Sequence, residues 1–310
     1  MKKPLQLFRL FFLCLLGSIF ACEEPVTLDI EEVMPQVVVN GVFAAKQPVQ
    51  VVLTKSNPLL VNEATQYIDN AKVAILGEDN KVLGVLNYQE DALLPSYQLE
   101  QFYPTVETFY QLSIEIPEYP ALSSIDYLPK PVPLKTITVD TILFGVDSPI
   151  NTIHLSTTFK DPSEQRNFYH LRLFHEIVSG RTQSDGFQAN KEEHLKLLPI
   201  TAIPNNAPRA TFDRDEIGIL FSDDAIENQL VQLQLVAVLN ELEAGQFPKI
   251  IGELRSVSEN YYQYHTSLAR QEESKDRPFA EPVSVFSNIE NGLGIFAGYS
   301  VYRDSVTVVQ

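Results

Sequence analysis

Cys22 is the residue whose surroundings predict a chemical modification. Three basic residues within the first nine positions precede an apolar run over 10–21, and Ile-Phe-Ala-Cys at 19–22 fits a bacterial lipobox apart from the bulky Phe20. This layout predicts a lipoprotein signal peptide at 1–21 that is removed in the mature protein. Cys22 would then become the mature N-terminus and the lipid-attachment residue, carrying palmitate-type acyl chains.

Two other interpretations of this segment were weighed against lipidation. The apolar run is 12 residues long, whereas a membrane-spanning helix needs about 20. A plain secretory signal would leave a free thiol at Cys22, and the other cysteine, Cys14, lies inside the signal and cannot pair with it. Both observations favour the lipid anchor.

Residues 22–35 are predicted to form an acylated tether that spans roughly 40 Å when extended. The acidic pair Glu23 and Glu24 directly after the cysteine resembles the acidic tags of surface-exposed lipoproteins in Bacteroidetes-type bacteria. It is equally typical of a solvated linker. The sequence predicts an outer-membrane protein anchored by lipid and exposed at the cell surface, and it leaves the periplasmic face open.

The net charge excludes one class of partner. The chain carries −17 overall, and removal of three basic residues with the signal peptide gives −20. Such an acidic protein is not expected to bind nucleic acid or to lie with its protein surface on anionic lipid.

A search for catalytic or metal-binding patterns finds none that is specific. The five histidines do not form a His-Glu-x-x-His motif, and no Gly-x-Ser-x-Gly elbow is present. His170 and Arg172 alternate with apolar residues, which predicts polar side chains on the outer face of a strand. We therefore expect no enzymatic activity, no catalytic residue, no cofactor and no metal ligand. The five histidines are His154, His170, His175, His194 and His265.

One acidic cluster could in principle attract a hard cation. Calcium takes six to eight oxygen ligands, but the spacing of these acids matches no calcium loop, and acids of this kind also serve as helix caps and turn residues. The sequence leaves calcium binding at this cluster open. The cluster comprises Asp213, Asp215, Glu216, Asp223, Asp224 and Glu227.

The elements that position these residues are mainly strands, so the predicted fold class is all-β with two β-sandwich domains. In 108–116, Tyr110, Leu112 and Ile114 fall on one face, which indicates a strand buried on one side. Strand-like runs separated by turns suggest an immunoglobulin-like or transthyretin-like sandwich over 34–130. Alternating prolines over 129–133 favour a stiff connector there.

The second sandwich is predicted over 131–310 and carries one helix. The run 229–239 is apolar on both faces in its later half, which indicates a central strand covered on both sides. Ser256 and Glu259 have capping-box spacing, and the apolar periodicity predicts a helix over 257–273. The glycine-rich run 288–298 is interpreted as a structural strand–turn–strand that closes the second domain beneath that helix. If Gly292 has a positive φ, a β-branched replacement there should strain the turn.

Several of these stretches also resemble a known family. The runs at 254–265, 278–282 and 287–298, the opening Val-Val-Val-Asn-Gly-Val at 37–42 and Phe-Ser-Asp at 221–223 are similar to the family known as domain of unknown function 4249 (DUF4249). The resemblance implies an outer-membrane lipoprotein encoded near large TonB-dependent barrels, and it supplies no catalytic residue.

Combined with the lack of a catalytic motif, this resemblance favours a surface-associated, non-catalytic binding or accessory module of a TonB-dependent outer-membrane transporter. The expected partners are the membrane, through the lipid, and the transporter barrel, while the ligand stays unidentified. The alternatives are a structural subunit of a surface assembly and, less favoured, a hydrolase.

Overall fold

Alternating apolar and polar side chains make most of this chain extended. The structure is a computed structural model that describes residues 34–57, 64–90, 94–143, 150–162, 165–178, 193–202, 212–214, 218–224, 226, 229–240, 249–275, 281 and 283–308. The described residues form strands and one helix, so the predicted all-β class is confirmed. The signal peptide, most of the tether and all but the last residue of 180–193 lie outside them.

Seventeen strands and one helix, α1, follow one another along the described chain. They are β1 (Val37–Ala44), β2 (Val49–Lys55), β3 (Lys72–Leu76), β4 (Val82–Gln89), β5 (Ser96–Leu99), β6 (Thr108–Glu115), β7 (Leu122–Leu128), β8 (Leu134–Leu143), β9 (Ile150–Lys160), β10 (Phe168–Val178), β11 (Glu193–Leu198), β12 (Ile200–Ala202), β13 (Phe212–Arg214), β14 (Gly218–Ser222), β15 (Leu230–Asn240), β16 (Lys249–Val257), α1 (Glu259–Lys275) and β17 (Leu293–Thr307).

Two sheets contain these strands. The larger follows the order β13-β14-β10-β16-β17-β1-β2-β5-β4-β3-β6-β7, with β11 also paired to β10, and the smaller follows β12-β15-β9-β8. β17 connects the two halves of the larger sheet because its first part pairs in parallel with β1 and its second part pairs antiparallel with β16. The last strand of the chain therefore belongs to both halves.

Two main hydrophobic cores lie on the inner surface of the larger sheet. The first is enclosed by β1 to β7 and includes the predicted buried face of β6, with Leu112 and Ile114 inaccessible to solvent. The second lies between the smaller sheet and the part of the larger sheet that contains β14, β10 and β16, as in a sandwich. Helix α1 packs on the opposite face of that part through a third cluster that contains Tyr261 and Ala297.

Near the predicted domain boundary, the chain passes from the first hydrophobic core to the second. A later segment returns to the first core, so one cut in the sequence does not separate the two. Core residues up to Leu128 belong to the first core. Those from Val132 onward belong to the second core or to the cluster beneath α1, whereas Ile289 and Phe296 return to the first. Residues Pro35–Gln310 form one compact unit. The proline connector is packed rather than free, since the buried Val132 donates its N–H to Ser256 Oγ over 3.1 Å.

The predicted helix is present, but the predicted capping box at Ser256 and Glu259 is wrong. Strand β16 continues through Val257, so Ser256 lies in the strand and α1 begins at Glu259. The hydroxyl that accepts the Tyr261 N–H, over 3.2 Å, is that of Ser258. Ser258 is therefore the N-cap, two residues later than the spacing suggested.

The glycine-rich motif closes the first core rather than the second. Phe296 stacks on Phe43 with ring centroids 4.6 Å apart, and Asn288 exchanges hydrogen bonds with the Phe296 backbone. The left-handed residues are Asn291 and Gly294, with φ of 60° and 106°, and not Gly292. A Cβ on Gly294 would lie 1.9 Å from the carbonyl oxygen of Val39, so the strand pairing itself requires glycine there.

Strand β15 lies inside the smaller sheet, between β12 and β9, but only one of its faces is buried. Leu233, Leu235 and Ala237 are inaccessible, while Val236 and Val238 are half-buried. The prediction of a strand covered on both sides is wrong, because the residues that alternate with this buried face stay half-buried or exposed.

Candidate functional site

Among the described residues, a group of charged side chains around one buried carboxylate lies on the outer face of the larger sheet. Strand alternation sends Glu253 and Arg255 of β16 to this face and Leu254 into the second core. The register places Arg172 of β10 and Arg303 of β17 directly opposite Glu253, one on each side. We call Arg172, Arg255 and Arg303 the arginine cluster.

The three guanidinium groups share the Glu253 carboxylate, which is inaccessible to solvent. Arg255 Nε donates to Oε1 over 2.6 Å, and Arg303 donates to Oε2 from Nε over 2.7 Å and from Nη2 over 2.6 Å. Arg172 Nη1 lies farther away, 3.5 Å from Oε1. Burial alone would raise the pKa of Glu253, but Arg255 and Arg303 hold it below its usual range.

Aromatic rings fix the orientation of two of these arginines. The Arg172 guanidinium lies 4.8 Å from the centre of the Phe174 ring, and that of Arg255 lies 4.3 Å from the centre of the Tyr299 ring. Such stacking is typical of arginine and limits its side-chain freedom. Burial together with the neighbouring Arg255 lowers the pKa of Arg172.

The next row across the sheet lies beneath α1. His170 pairs with Arg255 in register, and its Nδ1 lies 2.9 Å from the hydroxyl of Tyr261. The prediction that His170 shares a face with Arg172 is correct, but the face is covered there, and His170 is only 2% exposed. Tyr261 also receives a weak contact from Arg255 Nη1, at 3.4 Å. His170, Tyr261 and His265 form a contiguous group of rings in this layer.

A second buried carboxylate, Asp126 of β7, joins α1 to the sheet. Its oxygens accept hydrogen bonds from the Gly298 backbone over 2.6 Å and from Asn260 Nδ2 over 2.7 Å. Burial raises its pKa to about 6, because it outweighs the hydrogen bonds from Ser258, Gly298 and Asn260 that favour the charged form. No full positive charge is among these partners.

The predicted acidic cluster is only partly visible. Asp223 accepts the N–H of Asn167 over 2.7 Å, and Asp224 forms a two-pronged pair with Arg166. Asp215, Glu216 and Glu227 lie outside the described residues, and only the backbone of Asp213 is described. Within the described part, Asp223 and Asp224 act as structural acceptors that join the start of β10 to the end of β14.

The remaining residues that the sequence analysis considered, the other histidines and Cys22, do not gather at one site in the described structure. His154 lies on β9 and His175 on the inner side of β10, where burial and Lys196 lower the pKa of His175. Among the described side chains, no three His, Cys, Asp or Glu residues come close enough to hold a metal ion. Cys22 lies outside the described residues, as does the side chain of His194. No helix in the described ranges is both long and apolar enough to cross a membrane.

Sequence reasoning missed Glu253, Arg255 and Arg303. The signal that could have found the first two is the alternation over 253–255, where charged residues flank the buried Leu254. Arg303 could not be found in this way, because it meets Glu253 only through the pairing of β16 with β17.

Chemically, the arrangement suits the binding of an anion better than proton transfer. An arginine guanidinium stays protonated in proteins and cannot act as a base. Glu253 is held ionised by its arginine neighbours and is covered by them. What the cluster offers is fixed positive charge and N–H donors at a partly open surface.

Comparison with known proteins adds a family match. The model of a family described as "Domain of unknown function (DUF4249)" matches residues 23–305. No curated protein matches the chain. Among solved structures, the crystal structure of Dpr2 Ig1-Ig2 in complex with DIP-Theta Ig1-Ig3 aligns with 70% of this chain and 92% of that chain, at 12% identity and a TM-score of 0.21.

Proposed function

The chain belongs to the DUF4249 family, and from that premise we propose that it is a lipid-anchored, non-catalytic accessory or binding module of a TonB-dependent outer-membrane transporter. The observation that carries the anchoring part is the signal-like run that ends at Cys22, followed by an acidic segment and then by the compact unit that begins at Pro35. A segment of this length, which spans roughly 40 Å when fully extended, would keep a folded unit near the membrane.

The transporter part rests on the family resemblance, and the described side chains are compatible with it. The strongest cluster of ionisable groups consists of arginines around a carboxylate that they neutralise. Nucleophilic catalysis needs a nucleophile within hydrogen-bond reach of a base that a third group orients. The arginine cluster instead supplies charge and donors that hold a ligand in place.

The anchoring part is tested by changing Cys22 to Ser. In the producing bacterium, the unmodified chain should yield a mature species that begins at Cys22 with acyl chains, and it should sediment with membranes. The Cys22→Ser variant should lack the acyl mass and should not be held stably, since membrane affinity comes from buried methylenes at about 0.8 kcal/mol each. A Cys14→Ser variant is the matched control and should behave like the unmodified chain. A mature Cys22 species without acyl chains would disprove the anchor.

The transporter part is tested by affinity purification from detergent-solubilised outer membranes. A TonB-dependent barrel recovered in a fixed ratio supports the accessory role. Recovery of other surface proteins without a barrel would instead favour the structural-subunit alternative. A chain that purifies alone and turns over a glycan or peptide would overturn the proposal.

A further inference from the structure

The arginine cluster carries more positive charge than the described residues around it neutralise. Three guanidinium groups surround one carboxylate, which leaves a local excess of two positive charges in a chain whose net charge is −17. Each guanidinium also has more N–H donors than a carboxylate oxygen has lone-pair sites. Glu253 alone therefore cannot satisfy all three.

Arg172 shows this surplus most directly. Within the described part of the chain its one ion pair is the approach of Nη1 to Glu253 at 3.5 Å, which is long for a charge-assisted hydrogen bond. Its buried Nε has no hydrogen-bond partner among the described residues. A buried donor without an acceptor is costly, so the contacts of Arg172 with Glu253 and Phe174 leave part of its hydrogen-bonding capacity unused.

The cluster is also accessible from solvent at its outer side. The side chain of Arg303 is 51% exposed and that of Arg172 is 21% exposed, whereas Glu253 below them is fully buried. The two arginines reach the same Glu253 carboxylate from neighbouring strands on either side, which keeps their guanidinium groups close to one another. Stacking of Arg172 on Phe174 holds one of the two forks in place before a ligand arrives.

We propose that the arginine cluster binds an oxyanion, the carboxylate or phosphate group of a small ligand, on the outer face of the sheet above Glu253. Paired guanidinium forks match the planar geometry of such groups and hold them through two parallel hydrogen bonds. Glu253 keeps the forks aligned and lowers their mutual repulsion. This inference stands independently of the membrane anchor and of any transporter partner.

The test is thermal unfolding of the full mature chain with inorganic phosphate, sulfate or glucuronate, each against chloride at equal ionic strength. A ligand that binds only the folded state adds RT ln(1 + L/Kd) to the free energy of unfolding, where L is the free ligand concentration, so Tm keeps rising with the logarithm of ligand concentration once that concentration exceeds Kd. We expect Tm to follow this logarithmic dependence, and so to define a Kd, with at least one of these anions. Fitted Kd values for phosphate and sulfate below that for glucuronate assign a phosphate-type group, and the reverse order assigns a carboxylate.

Two variants and one control make the test specific to the cluster. Arg303→Gln and Arg172→Gln should each raise the fitted Kd by about tenfold or more, because each loses a charge-assisted contact. Arg166→Gln is the matched control, since Arg166 is an exposed arginine already paired with Asp224, and it should keep the unmodified response. A Tm that rises linearly in every variant reflects the general stabilisation by sulfate and phosphate and overturns the proposal. So does any series in which no anion exceeds chloride.

Discussion

Two carboxylates, Glu253 and Asp126, are almost equally buried, yet their surroundings shift their pKa values in opposite directions. Glu253 is fully inaccessible and Asp126 is 5% exposed. Glu253 faces three guanidinium groups, which bring its pKa below the usual range despite its burial. Asp126 faces only neutral donors, and burial raises its pKa to about 6. Burial alone therefore does not decide the charge state, and the type of partner does.

The comparison also separates two roles on the same sheet. Around Glu253, three positively charged guanidinium groups surround one negative carboxylate. The excess positive charge gives this surface the capacity to bind an anion. Asp126 instead accepts hydrogen bonds from two neutral donors, the Gly298 N–H and the Asn260 side-chain amide. These bonds connect β7 to β17 and to the start of α1. The first region is suited to binding, and the second holds the helix on the sheet.

The largest effect should come from removing the charge of Glu253. Glu253→Gln leaves three guanidinium groups crowded around a neutral amide, and we expect the free energy of unfolding to fall by about 3–5 kcal/mol, as when one partner of a buried ion pair is lost. Urea unfolding measures it. The control is Glu115→Gln, an exposed acid paired with Lys72, which should change stability by less than about 1 kcal/mol. Equal effects of the two variants would remove the distinction between a neutralised and an ordinary carboxylate.

The next effect is a pH dependence that differs in sign between the two sites. The folded-state pKa of Asp126 is raised from 3.8 to about 6, so its contribution to stability is fully present below 3.8 and is lost as the pH rises through 6. From the linkage relation this amounts to about 3 kcal/mol. The pKa of Glu253 is lowered, so its contribution is present above 4.5 and is lost as the pH falls through its lowered pKa.

Asp126→Asn isolates the first of these terms, because asparagine does not titrate. As the pH rises from 4.5 to 7.5, the unmodified chain should lose stability relative to Asp126→Asn, so its free energy of unfolding should fall by more than that of the variant. Urea unfolding at several pH values measures that difference. A difference that stays constant over this range would show that Asp126 ionises at its ordinary pKa.

The contrast between the two sites also explains what the sequence could predict. Alternation along single strands gave the buried face of β6 and the shared face of His170 and Arg172, since both depend on local geometry. The position of Glu253 between Arg172 and Arg303 depends on the register of three strands that are far apart in the chain. No local pattern encodes that register, so the arginine cluster could not be predicted.

The start of α1 shows the same limit at short range. Ser256 and Glu259 have the spacing of a capping box, but β16 extends to Val257 because its pairing with β10 and β17 continues to that residue. The strand takes Ser256 into the sheet, where its hydroxyl accepts the Val132 N–H. Tertiary pairing thus overrides a local capping signal, and Ser258 becomes the cap.

The smallest effect should come from Ser258, which connects helix capping to the Asp126 site. Its hydroxyl accepts the Tyr261 N–H and also forms a hydrogen bond that favours the charged form of Asp126. Ser258→Ala should lower the free energy of unfolding by about 1–2 kcal/mol at pH 7.5. At pH 4.5, where Asp126 is protonated, the Ser258 hydroxyl no longer stabilises a charged carboxylate. The loss of unfolding free energy in Ser258→Ala should then shrink towards about 1 kcal/mol. Ser274→Ala, in the last turn of the same helix, is the control and should change stability by less than about 0.5 kcal/mol at either pH. If the cost of Ser258→Ala is the same at both pH values, then its hydroxyl acts only as a helix cap, and Asp126 keeps its charge state through Gly298 and Asn260 alone.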